Sequence, residues 1–166
     1  MDRTSEARVT DFDRRTPDSY PYRTMLQPRF GDMVHMGHVN AVSLCTYYEE
    51  LRVLFYRTMF DQKSYAPAPD PLFVIINMTV EFVGEVKYPD NVEAACAVTK
   101  VGGKSHTLGM ALFQRGRCVG LSDQTFVHII RGGGGPTSMS EVLADRLRSA
   151  ALGTAPVVPQ PYVIAG

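Results

Sequence analysis

At 166 residues the chain has the length of one domain, enough to bury about two-thirds of the surface its unfolded form exposes. Lysine plus arginine and aspartate plus glutamate balance at 17 each, which argues against nucleic acid or an acidic membrane as partner and leaves any anion binding to a local patch. Cys45, Cys96 and Cys118 lack metal-ligand spacing, no apolar leader opens the chain and no run reaches the roughly 18 apolar residues of a membrane span, so the expectation is a soluble, cytoplasmic protein with reduced thiols.

Residues 1–21 are polar, mix both charge signs and show no periodicity, as a flexible arm would. A first strand is expected from Tyr22 to Phe30, confined to a sheet edge by Pro21 and Pro28. Polar groups then crowd into a turn that carries Asp32, His35, His38 and Asn40. Asn40 stands where a helix N-cap should stand, because its side-chain oxygen can accept from the free N–H groups of a first turn. Beyond it Leu44, Tyr48, Leu51, Phe55 and Met59 recur at helical spacing and predict a mostly buried helix from about Asn40 to Phe60.

A Pro-rich loop, residues 61–71, leads to a series of strand-like runs. In the first, Val74, Ile76, Met78, Val80 and Phe82 are expected on one face, and Asn77, Thr79 and Glu81 on the other. Tyr88-Pro89-Asp90 supplies a turn, Val92 to Thr99 alternates again, and Gly102-Gly103 breaks the pattern before Ser105 to Gln114. Gly116 marks a hairpin into Arg117 to Ile130. One long helix followed by antiparallel strands must bury the helix against the sheet, an α+β two-layer arrangement. Residues 22–131 therefore read as the domain. Residues 132–166 read as a Gly-rich linker, a short surface helix over Ser140 to Ala150 and an apolar tail that lies along the domain or across a neighbour.

The segment from Arg29 to Arg52 closely resembles the hotdog-fold acyl-CoA thioesterases of the 4-hydroxybenzoyl-CoA thioesterase type, whose pattern runs R-[WF]-x-D-x-D-x-x-G-H-V-N-N and then Y-[LF]-E-E-A-R on the helix. Arg29, Phe30, Asp32, Gly37, His38, Val39, Asn40, Tyr48, Glu49, Glu50 and Arg52 match. The family's second Asp, its usual catalytic carboxylate, is Val34 here. The resemblance implies a hotdog fold, a long central helix wrapped by a curved antiparallel sheet. It implies hydrolysis of the thioester of a fatty or aromatic acyl-CoA, no metal, no cofactor beyond the coenzyme A of the substrate, and sites built between subunits of a homodimer or a dimer of dimers. The free sheet edge points to pairing as well. With valine at the acid's position, the alternative is a non-catalytic hotdog module that binds acyl-CoA or an acyl carrier.

The candidate catalytic residues are Asp32, His38, Asn40 and Glu49. Asp32 is the carboxylate left in the turn, and either attacks or activates water, or holds the turn through loop N–H groups and Arg29. His38 either contacts substrate or satisfies backbone carbonyls; Asn40 caps the helix whose N-terminal N–H groups, with Gly37 and Val39, would polarise the thioester carbonyl. Glu49 either points into the cleft or pairs with Arg52. Val34 and His35 are candidate substrate-binding residues, Val34 as a wall of the groove and His35 either orienting water in place of the missing acid or facing solvent. Lys104 and Ser105, in a G-x-S turn resembling the family's, are the expected contacts to coenzyme A, and Lys87, Lys100, Arg115 and Arg117 are further cations at strand ends.

Overall fold

The computed structural model describes residues 13–60 and 72–157. The first part of the arm, the Pro-rich loop at 61–71 and the last part of the tail lie outside them.

Strands β1 (Tyr22–Leu26), β2 (Leu72–Phe82), β3 (Val92–Val101), β4 (Ser105–Gln114) and β5 (Arg117–Ile129) form one antiparallel sheet in the order β1-β3-β4-β5-β2. Helix α1 (Ala41–Met59) lies against it, and a second helix, α2 (Glu141–Arg148), follows the sheet. This is the hotdog arrangement. α1 forms because Leu44, Tyr48, Leu51, Phe55 and Met59 line one stripe, all buried, against Val92, Ala94, Cys96, Leu108, Met110 and Leu112 of the central strands. At 19 residues it runs about 28 Å along the sheet, which separates its two ends into distinct environments. Tyr48 reaches the sheet at Gly120, where a Cβ would stand 2.6 Å from the tyrosine oxygen, so only glycine admits the ring.

Three expectations are corrected. The first strand stops at Leu26, and Phe30–Asp32 form a 3-10 turn instead. A bulge at Ile76 shifts the register of β2, pairing Ile75 with Phe126 and Asn77 with Thr125. Directly opposed residues share a face, so Phe73, Ile75, Met78, Val80 and Phe82 look toward α1, while Val74 looks away. The described part of the arm is not free: Tyr20 is buried with Ala95, Ala97, Ala111, Phe113, Leu121 and Leu152 on the outer face of the sheet. There Arg14 pairs with Asp123 at 2.9 Å and donates to the Ser122 carbonyl at 3.1 Å.

The chain after α2 lies along its own domain. Ala150 accepts from Val98 N–H at 2.8 Å beyond the end of β1, Gly153 donates to Ser19 at 2.8 Å and Val157 to Pro21 at 2.7 Å. Leu147 and Ala150 enter the main core, so α2 is more than the surface element its charges suggest. No helix among the described residues is long and apolar enough to cross a membrane.

Candidate active site

The turn before α1 is built by main-chain bonds. Val34 N–H donates to His38 O and Gly37 N–H to Val34 O, both at 2.9 Å, closing a tight loop in which Gly37 adopts φ +82°, a conformation glycine takes without strain. Val39 N–H then donates to Val86 O at 2.8 Å, which ties the helix entrance to the β2–β3 connection. Asn40 is the cap: its Oδ1 accepts from Ser43 N–H at 2.8 Å and its Nδ2 donates to Asp32 O at 2.8 Å. Leu44 N–H closes the first helical bond to Asn40 O. Ala41 and Val42, at the first two helical positions, therefore have N–H groups without an intrahelical acceptor, and no acidic side chain occupies the first turn. The positive end of the helix is met by the Asn40 cap and, through Ser43, by the Asp32 carboxylate.

Asp32 is committed to structure. Its Oδ2 accepts from Arg29 N–H at 2.8 Å and from the Tyr47 hydroxyl at 2.6 Å, and its Oδ1 lies 3.4 Å from Ser43 Oγ. These contacts are the ones the turn-holding reading requires. Glu49 likewise pairs with Arg52, whose guanidinium lies over the Phe126 ring at 5.4 Å.

A cavity of about 360 Å³ opens at the helix start, lined by His38, Val39, Ala41 and Leu44 on one side and by Phe82 to Val86 on the other. Val34, His35 and Gly37 belong to the turn but do not line it. Val34 is half-buried and His35 exposed. His38 Nδ1 is shielded from solvent, has no hydrogen-bond partner among the described residues, and lies 3.7 Å from Glu85 Oε1. Glu85 in turn meets Lys87 Nζ at 2.5 Å, and that contact, with Lys87's charge, holds its carboxyl below the usual glutamate value.

Glu85 also borders a second cavity, about 520 Å³, lined by Lys87, Gln114, Arg115 and Arg117 among others. Buried Gln114 fixes the wall between strands: it accepts from Lys87 N–H at 2.9 Å and donates to Lys87 O and Asp90 O at 2.8 and 2.9 Å. Lys104 and Ser105 do not belong here. Their turn joins β3 to β4 near the far end of α1, where Tyr56 bonds neighbouring His106. Lys104 and Ser105 line neither cavity, so the cations of this hairpin stand apart from Lys87, Arg115 and Arg117. The approach of Glu85 to His38 has no signal in the sequence, because nothing in a glutamate after a strand says which histidine it will face.

No curated protein matches the chain. Solved structures do. A predicted thioesterase from Bacillus stearothermophilus superposes with a TM-score of 0.70 at 21% identity, covering 78% of this chain and 96% of that one. A Pseudomonas aeruginosa protein gives 0.69 at 20%, covering 84% and 99%. A Thermus thermophilus thioesterase complexed with coenzyme A and Zn gives 0.68 at 22%, covering 80% and 95%. These likenesses establish the hotdog fold. The model of the thioesterase-like superfamily matches residues 28–147, from the turn through the sheet to α2, and the chain belongs to that superfamily.

Proposed function

We propose that the protein hydrolyses the thioester of an acyl-CoA, the carbonyl carbon sitting in the cavity between His38 and the start of α1. The observation that carries this reading is that one pocket combines an imidazole, the first turn of a long helix and apolar walls from Leu44, Phe82 and Val86. A thioester carbonyl gains negative charge as water attacks, and preorganised donors at that oxygen are worth roughly 3 kcal/mol each. The adjoining cavity supplies Lys87, Arg115 and Arg117 within one groove, matching the phosphates of coenzyme A. A related thioesterase has been solved with coenzyme A, which fits this choice of substrate.

The assembly we infer is a homodimer, alone or doubled, joined through β2. That strand is an edge of the sheet formed by the described residues and exposes Ile75, Ile76, Met78 and Phe82. Val34 favours the second reading, a module that binds acyl-CoA without cleaving it, since a valine at the family's acid position supplies neither nucleophile nor base. Release of free thiol from short, long and aromatic acyl-CoAs by the purified protein tests the enzyme. Tight binding of one of them without release overturns it in favour of the module.

A further inference from the structure

Water must lose a proton to attack a thioester at neutral pH, and the carboxylate that does this in the resembled family is absent at Val34, while Asp32 is held by Tyr47, Arg29 and Ser43. The titratable groups that line the cavity are His38 and Glu85, and the Glu85 carboxylate is held by Lys87. We propose that Glu85 is the positioning residue of His38: the carboxylate faces Nδ1, fixes the tautomer that carries the proton there, and leaves the Nε2 lone pair as the base.

Four features of the structure favour the pair. Glu85 and His38 line opposite walls of the same cavity, so a base between them meets a substrate in it. Their 3.7 Å separation is longer than a formed hydrogen bond, as catalytic contacts often are before substrate binds. His38 Nδ1 has no competing acceptor among the described residues, which is unusual for a shielded nitrogen. The carboxylate comes from the β2–β3 connection, whose main chain is fastened to the turn through Val39 and Val86 and to the β4–β5 hairpin through Gln114, so its approach is set by backbone.

In the reaction, water oxygen bonds to the carbonyl carbon as its proton passes to His38 Nε2. The oxyanion is met at the helix start. The tetrahedral intermediate then collapses, the C–S bond breaks with its electron pair going to sulfur, and the imidazolium returns the proton to the leaving thiolate. Glu85 stabilises the imidazolium between the two transfers and is itself unchanged, the role a carboxylate plays behind a catalytic histidine elsewhere.

The charges around His38 are few. Glu85 faces it from the β2–β3 connection with Lys87 paired to that carboxylate, Asp32 and His35 share its own turn, Arg115 and Arg117 line the neighbouring cavity, and the first turn of α1 carries no acid. Glu85→Gln removes the carboxylate that faces Nδ1, and Lys87→Met removes the cation that competes for that carboxylate. Because the base must be unprotonated, the acidic limb of kcat/KM should move to lower pH in Glu85→Gln and to higher pH in Lys87→Met. In Glu85→Gln kcat should fall with KM unchanged, and Glu85→Asp should restore part of it.

This rests on the thioesterase reading, and imidazole 15N NMR of His38, which reads the tautomer, beside pH profiles of acyl-CoA hydrolysis separates the two. An Nδ1–H tautomer population unchanged in Glu85→Gln overturns the pairing. A changed tautomer with an unmoved acidic limb overturns the role of His38 as base, and with it that of Glu85. Wild type that hydrolyses no acyl-CoA while Glu85→Gln still changes the tautomer overturns the thioesterase reading and the catalytic assignment, and leaves the contact as electrostatics alone. A tautomer change in Glu85→Gln together with the stated shifts of the acidic limb supports the proposal.

Discussion

The hydroxyl of Tyr47 donates a 2.6 Å hydrogen bond to Asp32 Oδ2, so the acidic side chain of the turn is fastened to the helix that the turn precedes. Burial by itself would raise the carboxyl pKa, but Tyr47, Arg29 and Ser43 together outweigh it and hold the pKa below the ordinary aspartate value. A depressed folded pKa means that this stabilisation is present above the unfolded pKa and disappears as pH falls through the folded one. Asp32→Asn should lower stability at pH 7 by about 1.5 kcal/mol, read from urea midpoints, and leave kcat within a few-fold of wild type. A collapse of kcat with acyl-CoA affinity unchanged would instead make Asp32 the catalytic acid.

Val34 stands at the resembled family's acid position but does not line the cavity, and in the proposed mechanism His38 already supplies the base. Val34→Asp is therefore expected to leave turnover on an acyl-CoA substrate within a few-fold of wild type, without unfolding a half-buried turn position. Steady-state kinetics on both proteins decide it. A rise of about 100-fold, the usual return from a well-placed general base, would mean that the turn presents position 34 to the thioester.

Asn40→Ala removes both the bond to Ser43 N–H and the bond to Asp32 O. Loss of an N-cap costs about 1 kcal/mol, which for a domain of this size is a fall in Tm of roughly 3 °C. Differential scanning calorimetry should show that fall. Asn40→Asp, which keeps the capping oxygen, should recover much of it.

His106 sits at the other end of α1, its Nε2 2.6 Å from the Tyr56 hydroxyl and its ring stacked on Phe126. Burial, with His128 adding to it, pushes its pKa down to about 4 from 6.5. The unfolded chain therefore takes up a proton in this window that the folded chain refuses, so stability is lost as pH falls from 6.5 to 4, by on the order of 3 kcal/mol. His106→Gln should flatten that loss, seen as a smaller difference between urea midpoints measured at pH 4.5 and 7.

Analytical ultracentrifugation at micromolar concentration should give twice the chain mass or a multiple of it. Ile76→Lys, which places a charge on the exposed bulge of β2, should shift the population toward single chains. A wild-type mass equal to one chain would contradict assembly through this edge.

The periodicity of Leu44 to Met59 and the asparagine before it were enough to read α1 to within a residue, because a buried helix face and a cap are local signals. The hairpin strands were legible for the same reason. The Ile76 bulge was not, since alternation of apolar residues continues through it and only the partner strand reveals the slip. The site was legible as a place and less so as a set of groups. The turn resemblance singled out His38 and Asn40, but Asp32's commitment to Tyr47 and the approach of Glu85 to His38 are long-range contacts that no spacing encodes.

Residues 13–21 and 149–157 bond to one another across the outer face of the sheet, through Gly153 with Ser19 and Val157 with Pro21, and the arm buries Tyr20 there. A version trimmed to begin at Tyr22 would bare Ala95, Ala97, Ala111 and Leu121 and strip Asp123 of its guanidinium. The stretch whose composition reads as a flexible arm is, over residues 13–21, the back plate of the domain, and an expression design that clips it should yield sticky, poorly soluble material.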